Sequence, residues 1–233
     1  MKTNSWLLNS VLFVLVMCVG CHRSSVGVEE VPKDIIESVP CPTLYTRILE
    51  LFPEHRKATD EVLFADSVEK RVILKQQSDV YVTFIYEGAG YRNTFGWYSY
   101  NVLSPPSSAE SLVLTPIFPN VSNNVLNSGD KIKIGNFPAG TVVGFFLIVD
   151  GWQNDHIDFA RQKVYTDINL NPNGEQQHIL FEEKTCGDIV LAFEDVSLDG
   201  TSDKDYNDIL FTVSDNNSQK VNTAFDITNI VKW

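Results

Sequence analysis

The chain has 233 residues, 43% of them apolar, and 30 acidic side chains against 18 basic ones give a formal net charge of −12. This composition is that of a packed globular domain. The acidic excess argues against a nucleic-acid partner, whose phosphates are met by basic patches. The four cysteines include no CxxC and no Cys/His cluster, which argues against structural zinc and thiol redox chemistry.

Residues 1–20 read as a secretory signal of the bacterial lipoprotein kind. Lys2 precedes Trp6, Leu7 and Leu8, and the apolar run VLFVLVMCVG then ends at Cys21 before the polar HRSS. Cys21 would be the first mature residue and the site of lipid attachment. Cys18 stands where the usual lipoprotein signal has leucine, so an ordinary secretory signal is the alternative. With His22 rather than aspartate after the lipidated cysteine, the expected location in a Gram-negative cell is the outer membrane or the cell surface. Residues 21–42 are polar, carry Pro32 and Pro40, and read as a linker. After cleavage Cys41 and Cys186 are the remaining ordinary thiols. An oxidising compartment permits their pairing, but spacing alone does not show that they meet, so bridge and free thiols both stand open.

Residues 43–66 form a short helical segment. Leu44, Ile48, Leu49, Leu51 and Phe52 have helical spacing, and Pro53 ends the run. The stretch PEHRKATDEVL is a further helical turn or a loop. Residues 67–233 then switch to strands separated by turns. Strands are expected over 72–74, 80–86, 95–100, 112–114, 131–134, 142–149 and 177–182, with a hairpin over 189–193 and 209–213 and a weak last strand or tail ending at Trp233. So many strands with few helices predict an all-β fold of two packed sheets, a β-sandwich or jelly roll, after the short helical segment.

The hairpin is tipped by EDVSLDGTSDKDYND, residues 194–208, where Glu194, Asp195, Asp199, Asp203, Asp205 and Asp208 face a single cation, Lys204. Two like charges ~4 Å apart repel by ~1 kcal/mol in water and by ~4 kcal/mol at the effective dielectric of a protein surface. A bound cation reverses that sign. The loop contains no cysteine and no histidine lies near it, so its donors are oxygens and Ca²⁺ is the ion they suit. Asp203, Asp205 and Asn207 follow the odd-position spacing of a calcium loop. Asp208 and Ser214 stand where an EF-hand needs glycine and glutamate, so this is not an EF-hand. A solvated turn rich in Asp, Asn and Gly is the competing reading. Glu87 and Asp150, at strand ends beside glycine turns, could complete the ligand set.

Catalytic candidates are few. His156 beside Asp155 and Asp158 could serve as a general base, but a surface histidine among solvated acids is the plainer reading, and GxSxG, HExxH and phosphate-loop motifs are absent. Paired carboxylates for glycoside hydrolysis have nothing positive to support them. Tyr91, Phe95, Trp97, Tyr98 and Tyr100, with Arg92 and Asn93, could stack on sugar rings, yet strand alternation sends half of them into the core. Trp152 reads as a rim or core anchor.

The segments FPE at residue 53, YVTFIYEGAGYRNTFGWYSY, IFPNVS, GNFPAGTVVGFFLIVDGW, LNPNGEQQH and FEDVSLDGTSDKDYNDILF follow one another as in the bacterial family described as DUF4114. Similar pieces occur in the LruC-type domains of Bacteroidetes surface proteins. The resemblance spans roughly residues 50–215, and its specific parts are the EGAGYRN turn and the FED to DYND hairpin. It implies a noncatalytic extracellular module with a calcium-binding hairpin. On that basis Asp195, Asp203, Asp205 and Asp208 are the principal Ca²⁺ ligands, with Glu194 and Asn207 as secondary ones. The expected function is a lipid-anchored, calcium-stabilised β-sandwich that binds an extracellular glycan or protein. A structural scaffold of the envelope is the alternative, and a glycan-active hydrolase comes third.

Overall fold

The structure is a computed structural model and describes residues 29–59, 61–198, 200, 202–217 and 222–233. The expected signal peptide, Cys21 and Asp199 lie outside the described residues.

The chain folds as an all-β sandwich. One sheet has the order β1 (Ile36–Glu37), β6 (Asp130–Phe137), β3 (Ser78–Glu87), β13 (Ile209–Ser214), β12 (Ile189–Phe193), β11 (His178–Glu182), β14 (Val231–Lys232). The other has the order β10 (Lys163–Tyr165), β7 (Thr141–Ile148), β4 (Asn93–Asn101), β5 (Thr115–Val121), with β2 (Val72–Ile73) also paired to β7. Pairing is antiparallel throughout except for β14 on β11.

Between the sheets lies an apolar layer centred on phenylalanine rings. Phe95 of one sheet stacks on Phe211 of the other with ring centroids 3.8 Å apart, and on Phe145 at 5.5 Å. Burying each such ring contributes about 1.5–3 kcal/mol. The outer faces are covered as well. Helix α1 (Leu44–Leu51) and the single turn α2 (Glu61–Phe64) lay Leu44, Ile48, Phe52 and Leu63 on Ile85, Phe181, Val190 and Leu210 of the larger sheet. A small hairpin, β8 (Trp152–Gln153) and β9 (His156–Ile157), packs Trp152 and Ile157 on Tyr98, Phe146 and Ile148 of the smaller one. Cover on both faces explains why β7, β12 and β13 are buried along their whole length and why residues 142–148 and 189–193 read as apolar runs.

Two expected segments are placed differently from the sequence reading, and the open question of the cysteines is answered. The strand expected at 112–114 lies instead at Thr115–Val121, where Pro116 and Pro119 are tolerated because β5 is an edge strand paired only with β4. Within the expected linker, Ile36–Glu37 pairs with β6 and Ser38 bonds Gly129 through both its amide and its hydroxyl. Gly129 has φ +104°, and a Cβ there would fall 2.0 Å from the Ser38 carbonyl oxygen, so only glycine lets the two segments approach. Cys41 is joined to Cys186 by a disulfide with Cα atoms 6.0 Å apart, which fastens the start of α1 to the β11–β12 turn. Among the described residues no helix is long and apolar enough to cross a membrane.

Candidate metal centre

Strands β12 and β13 pair in register from Ile189↔Val213 to Phe193↔Ile209, and residues 194–208 connect them at one end of the sandwich. The tip is not a solvated turn. Glu194, Asp195, Asp205 and Asn207 are all 97% or more buried, and Asp203 and Asp208 are half-buried. Their oxygens are instead tied to backbone and side chains around the loop.

The acids fall into two adjoining groups. In the inner one, Asp195 accepts a hydrogen bond from the Asn93 amide of the opposite sheet at 2.7 Å, and the Asp195 N–H donates to Asp208 at 2.9 Å. Glu87 stands beside them, because β3 places it opposite Ile209 and the Gly88 N–H donates to the Asp208 carbonyl. In the outer group, oxygens of Glu54, Asp203 and Asp205 and a ring nitrogen of His55 all lie within 4.8 Å of one another. The His55 N–H donates to Asp205 at 2.8 Å, and its Nδ1 meets Asp203 at 2.8 Å. Glu194 links the two groups: it accepts from the Tyr206 N–H at 3.4 Å, and its charge acts on Asp208.

The electrostatics are one-sided. Burial is the first cause that raises the carboxyl pKa of Glu87, Glu194, Asp195, Asp205 and Asp208. For Asp208 the charge of Asp195 is the second, and the Asp195–Asp208 pair resists carrying two negative charges. Among the described residues none of these five carboxylates has an ion pair with lysine or arginine. Lys204 and Tyr206 adopt left-handed backbone at φ 61° and 57°, costing about 1–3 kcal/mol each. The bonds from Ala58 N–H to the Lys204 carbonyl and from the Asn207 amide to the Phe52 carbonyl hold that path in place.

The residues singled out from sequence divide accordingly. Asp203 and Asp205 lie together, Asp195 and Asp208 lie together, and Glu194 lies between them. Asn207 commits its amide nitrogen to the end of α1. Glu87 joins the cluster, whereas Asp150 is neutralised by Arg161 at 2.9 Å. Sequence reasoning missed Glu54, His55 and Asn93 as neighbours, and His55 corrects the reading that no histidine lies near the loop. Pro53 after the helix is the one local hint, since it turns Glu54 and His55 out of α1.

The donor set suits a hard cation. The carboxylate oxygens are those Ca²⁺ takes, and the exception, the His55 nitrogen, belongs to a side chain 86% exposed and free to turn away. The other candidates lead elsewhere. Phe95 and Tyr98 are core residues, Trp97 packs edge-on against Phe137, the Tyr100 hydroxyl donates to Asp167, and Tyr91 alone is well exposed. Trp152 is buried, and His156 is exposed with its ring at the Asn154 carbonyl.

Residues 137–216 match the family model described as "Domain of unknown function (DUF4114)". The match runs from the end of β6 through β13 and includes the acidic tip, while the EGAGYRN turn lies outside it. No curated protein and no solved structure matches the chain.

Proposed function

From the match of residues 137–216 to the DUF4114 family model, we propose that this chain is a noncatalytic binding module of the bacterial envelope whose loop end is fastened by Ca²⁺. The observation that carries this reading is the convergence of buried Glu87, Glu194, Asp195 and Asp205 with half-buried Asp208, with no lysine or arginine ion pair among the described residues. Gathering five such groups is unfavourable by several kcal/mol. Calcium offsets that cost and acts structurally. Asp203 and Asp205, whose oxygens lie within 4.8 Å of one another and of Glu54, would hold it, with Glu194, Asp195 and Asp208 adjoining and Glu87 at the margin of the set. The ion supplies positive charge and rigidity. The chain's own residues do the positioning: Asn93 ties the tip to the opposite sheet, and Asn207 ties it to α1.

The rest of the proposal concerns location. The sequence of residues 1–21 supports a lipid on Cys21 and an outer-membrane or cell-surface site, and a disulfide suits an oxidising compartment. The ligand is an extracellular glycan or protein.

Thermal melts with calcium and with chelator test the ion. With a dissociation constant in the range of extracellular modules, ~10⁻⁴–10⁻³ M, calcium at about ten times that constant adds about 1.4 kcal/mol. A domain of this size then melts roughly 3–6 °C higher. The Asp203→Ala/Asp205→Ala variant should lose that gain, and equal melting of the wild type in both conditions refutes the calcium reading. Fatty-acid labelling of the wild type and of Cys21→Ala tests the anchor separately.

A further inference from the structure

We propose that the groove around Trp233, on the face covered by the helices, binds a short acidic oligosaccharide. Three cavities of about 500, 790 and 550 Å³ follow one another there. Trp233 and Leu51 line both the first and the second, and Lys57, Ala58, Thr59 and Glu61 line both the second and the third. Each has the size of a ligand site.

The charge of the groove runs against that of the chain. In a protein of net charge −12, Arg47, Arg56, Lys57, Lys184, Lys204 and Lys232 all line these cavities. Arg47 and Lys232 are paired with Glu50 and Glu182. Arg56, Lys57, Lys184 and Lys204 have no ion pair among the described residues. Exposed Arg56, Lys57 and Lys184, with half-buried Lys204, complement an anionic ligand along one groove.

Three observations select the kind of anion. The overall negative charge repels a long polyanion or an anionic membrane, so attraction works only within a screening length of ~8 Å and favours a short ligand. Trp233 rests on Phe52 at 6.0 Å and is only partly buried, which leaves indole surface in the groove for the apolar face of a sugar ring. Glu50 and Glu61 also line the groove, with Thr59 and Thr185. Carboxylates accept hydrogen bonds from sugar hydroxyls, which the side chains of an acidic peptide do not offer. A uronate-bearing sugar satisfies cations, indole and acids together.

The inference deepens the binding-module reading and rests on it, but does not depend on the ion. Its test is titration calorimetry of the full chain at low salt with a hyaluronan tetramer, a neutral cello-oligosaccharide of the same length and an oligoglutamate peptide. The tetramer should bind, weaken as salt rises, and lose at least tenfold in affinity in Lys57→Glu/Lys184→Glu, whose two positions are exposed. Trp233→Ala should lose a similar factor; should it melt early, Trp233→Phe keeps the ring and retains most of the binding. The wild type should bind the tetramer with chelator as it does with calcium, which separates this proposal from the calcium reading. No binding of the tetramer, equal binding of the neutral sugar or of the peptide, or unchanged binding in the charge-reversed variant overturns the proposal.

Discussion

Asn93 donates its side-chain amide to Asp195 at 2.7 Å from the opposite sheet, while its carbonyl oxygen accepts the Asp150 N–H at 2.9 Å. One fully buried side chain therefore joins the start of β4, the turn after β7 and the acidic tip. Asn93→Ala would strip a buried carboxylate and a backbone N–H of their partners. A loss of about 2–4 kcal/mol in urea-unfolding free energy is expected, the sum of a charged and a neutral hydrogen bond. A loss under about 0.5 kcal/mol would show that solvent replaces the bridge.

The disulfide closes a loop of 145 residues by sequence separation, so its main effect is on the unfolded chain. Cys41→Ser/Cys186→Ser should unfold about 2–4 kcal/mol more easily in denaturant. The melt of the wild type under reductant should approach that of the variant. Identical denaturation curves for the two oxidised proteins would contradict this.

His178 is completely buried, and burial pulls its pKa down to about 4 against the Lys70 carbonyl 3.0 Å away. Its folded value lies below its unfolded value of ~6.5, so between the two the unfolded chain binds the extra proton. Its contribution is whole above ~6.5 and is lost as pH falls towards about 4. Unfolding free energy measured across that interval should fall less steeply in His178→Phe than in the wild type, since carboxylate effects are common to both. Parallel slopes would mean that the fold accepts a charged His178.

Much of this fold is legible in residue order because the strands are long and apolar. The unbroken runs at 142–148 and 189–193 mark buried strands, and Pro53 marks the end of α1. Strand β5 lies later than expected and contains Pro116 and Pro119, whose tolerance follows from an edge position that only the sheet order reveals. Strand β1 has two residues, and its pairing depends on the close approach of Ser38 to Gly129, which leaves no periodic signal.

The acidic tip was visible because its charges cluster within fifteen residues, 194–208, of one loop. Its neighbours were not. Glu54 and His55 stand about 150 positions before Asp205, as the His55–Asp205 separation of 150 shows, and Asn93 precedes Asp195 by 102. Asp150 misled because a strand-end acid looks the same whether or not Arg161 neutralises it. The aromatic run 95–100 alternates between the two faces of β4, so most of its rings serve packing.

Diffraction from a crystal grown with calcium tests the central claim most directly. Anomalous difference density is expected among Glu194, Asp195, Asp203, Asp205 and Asp208, surrounded by oxygens at about 2.3–2.6 Å. Carboxylates turned out towards solvent around ordinary water, in a crystal saturated with the ion, would contradict it.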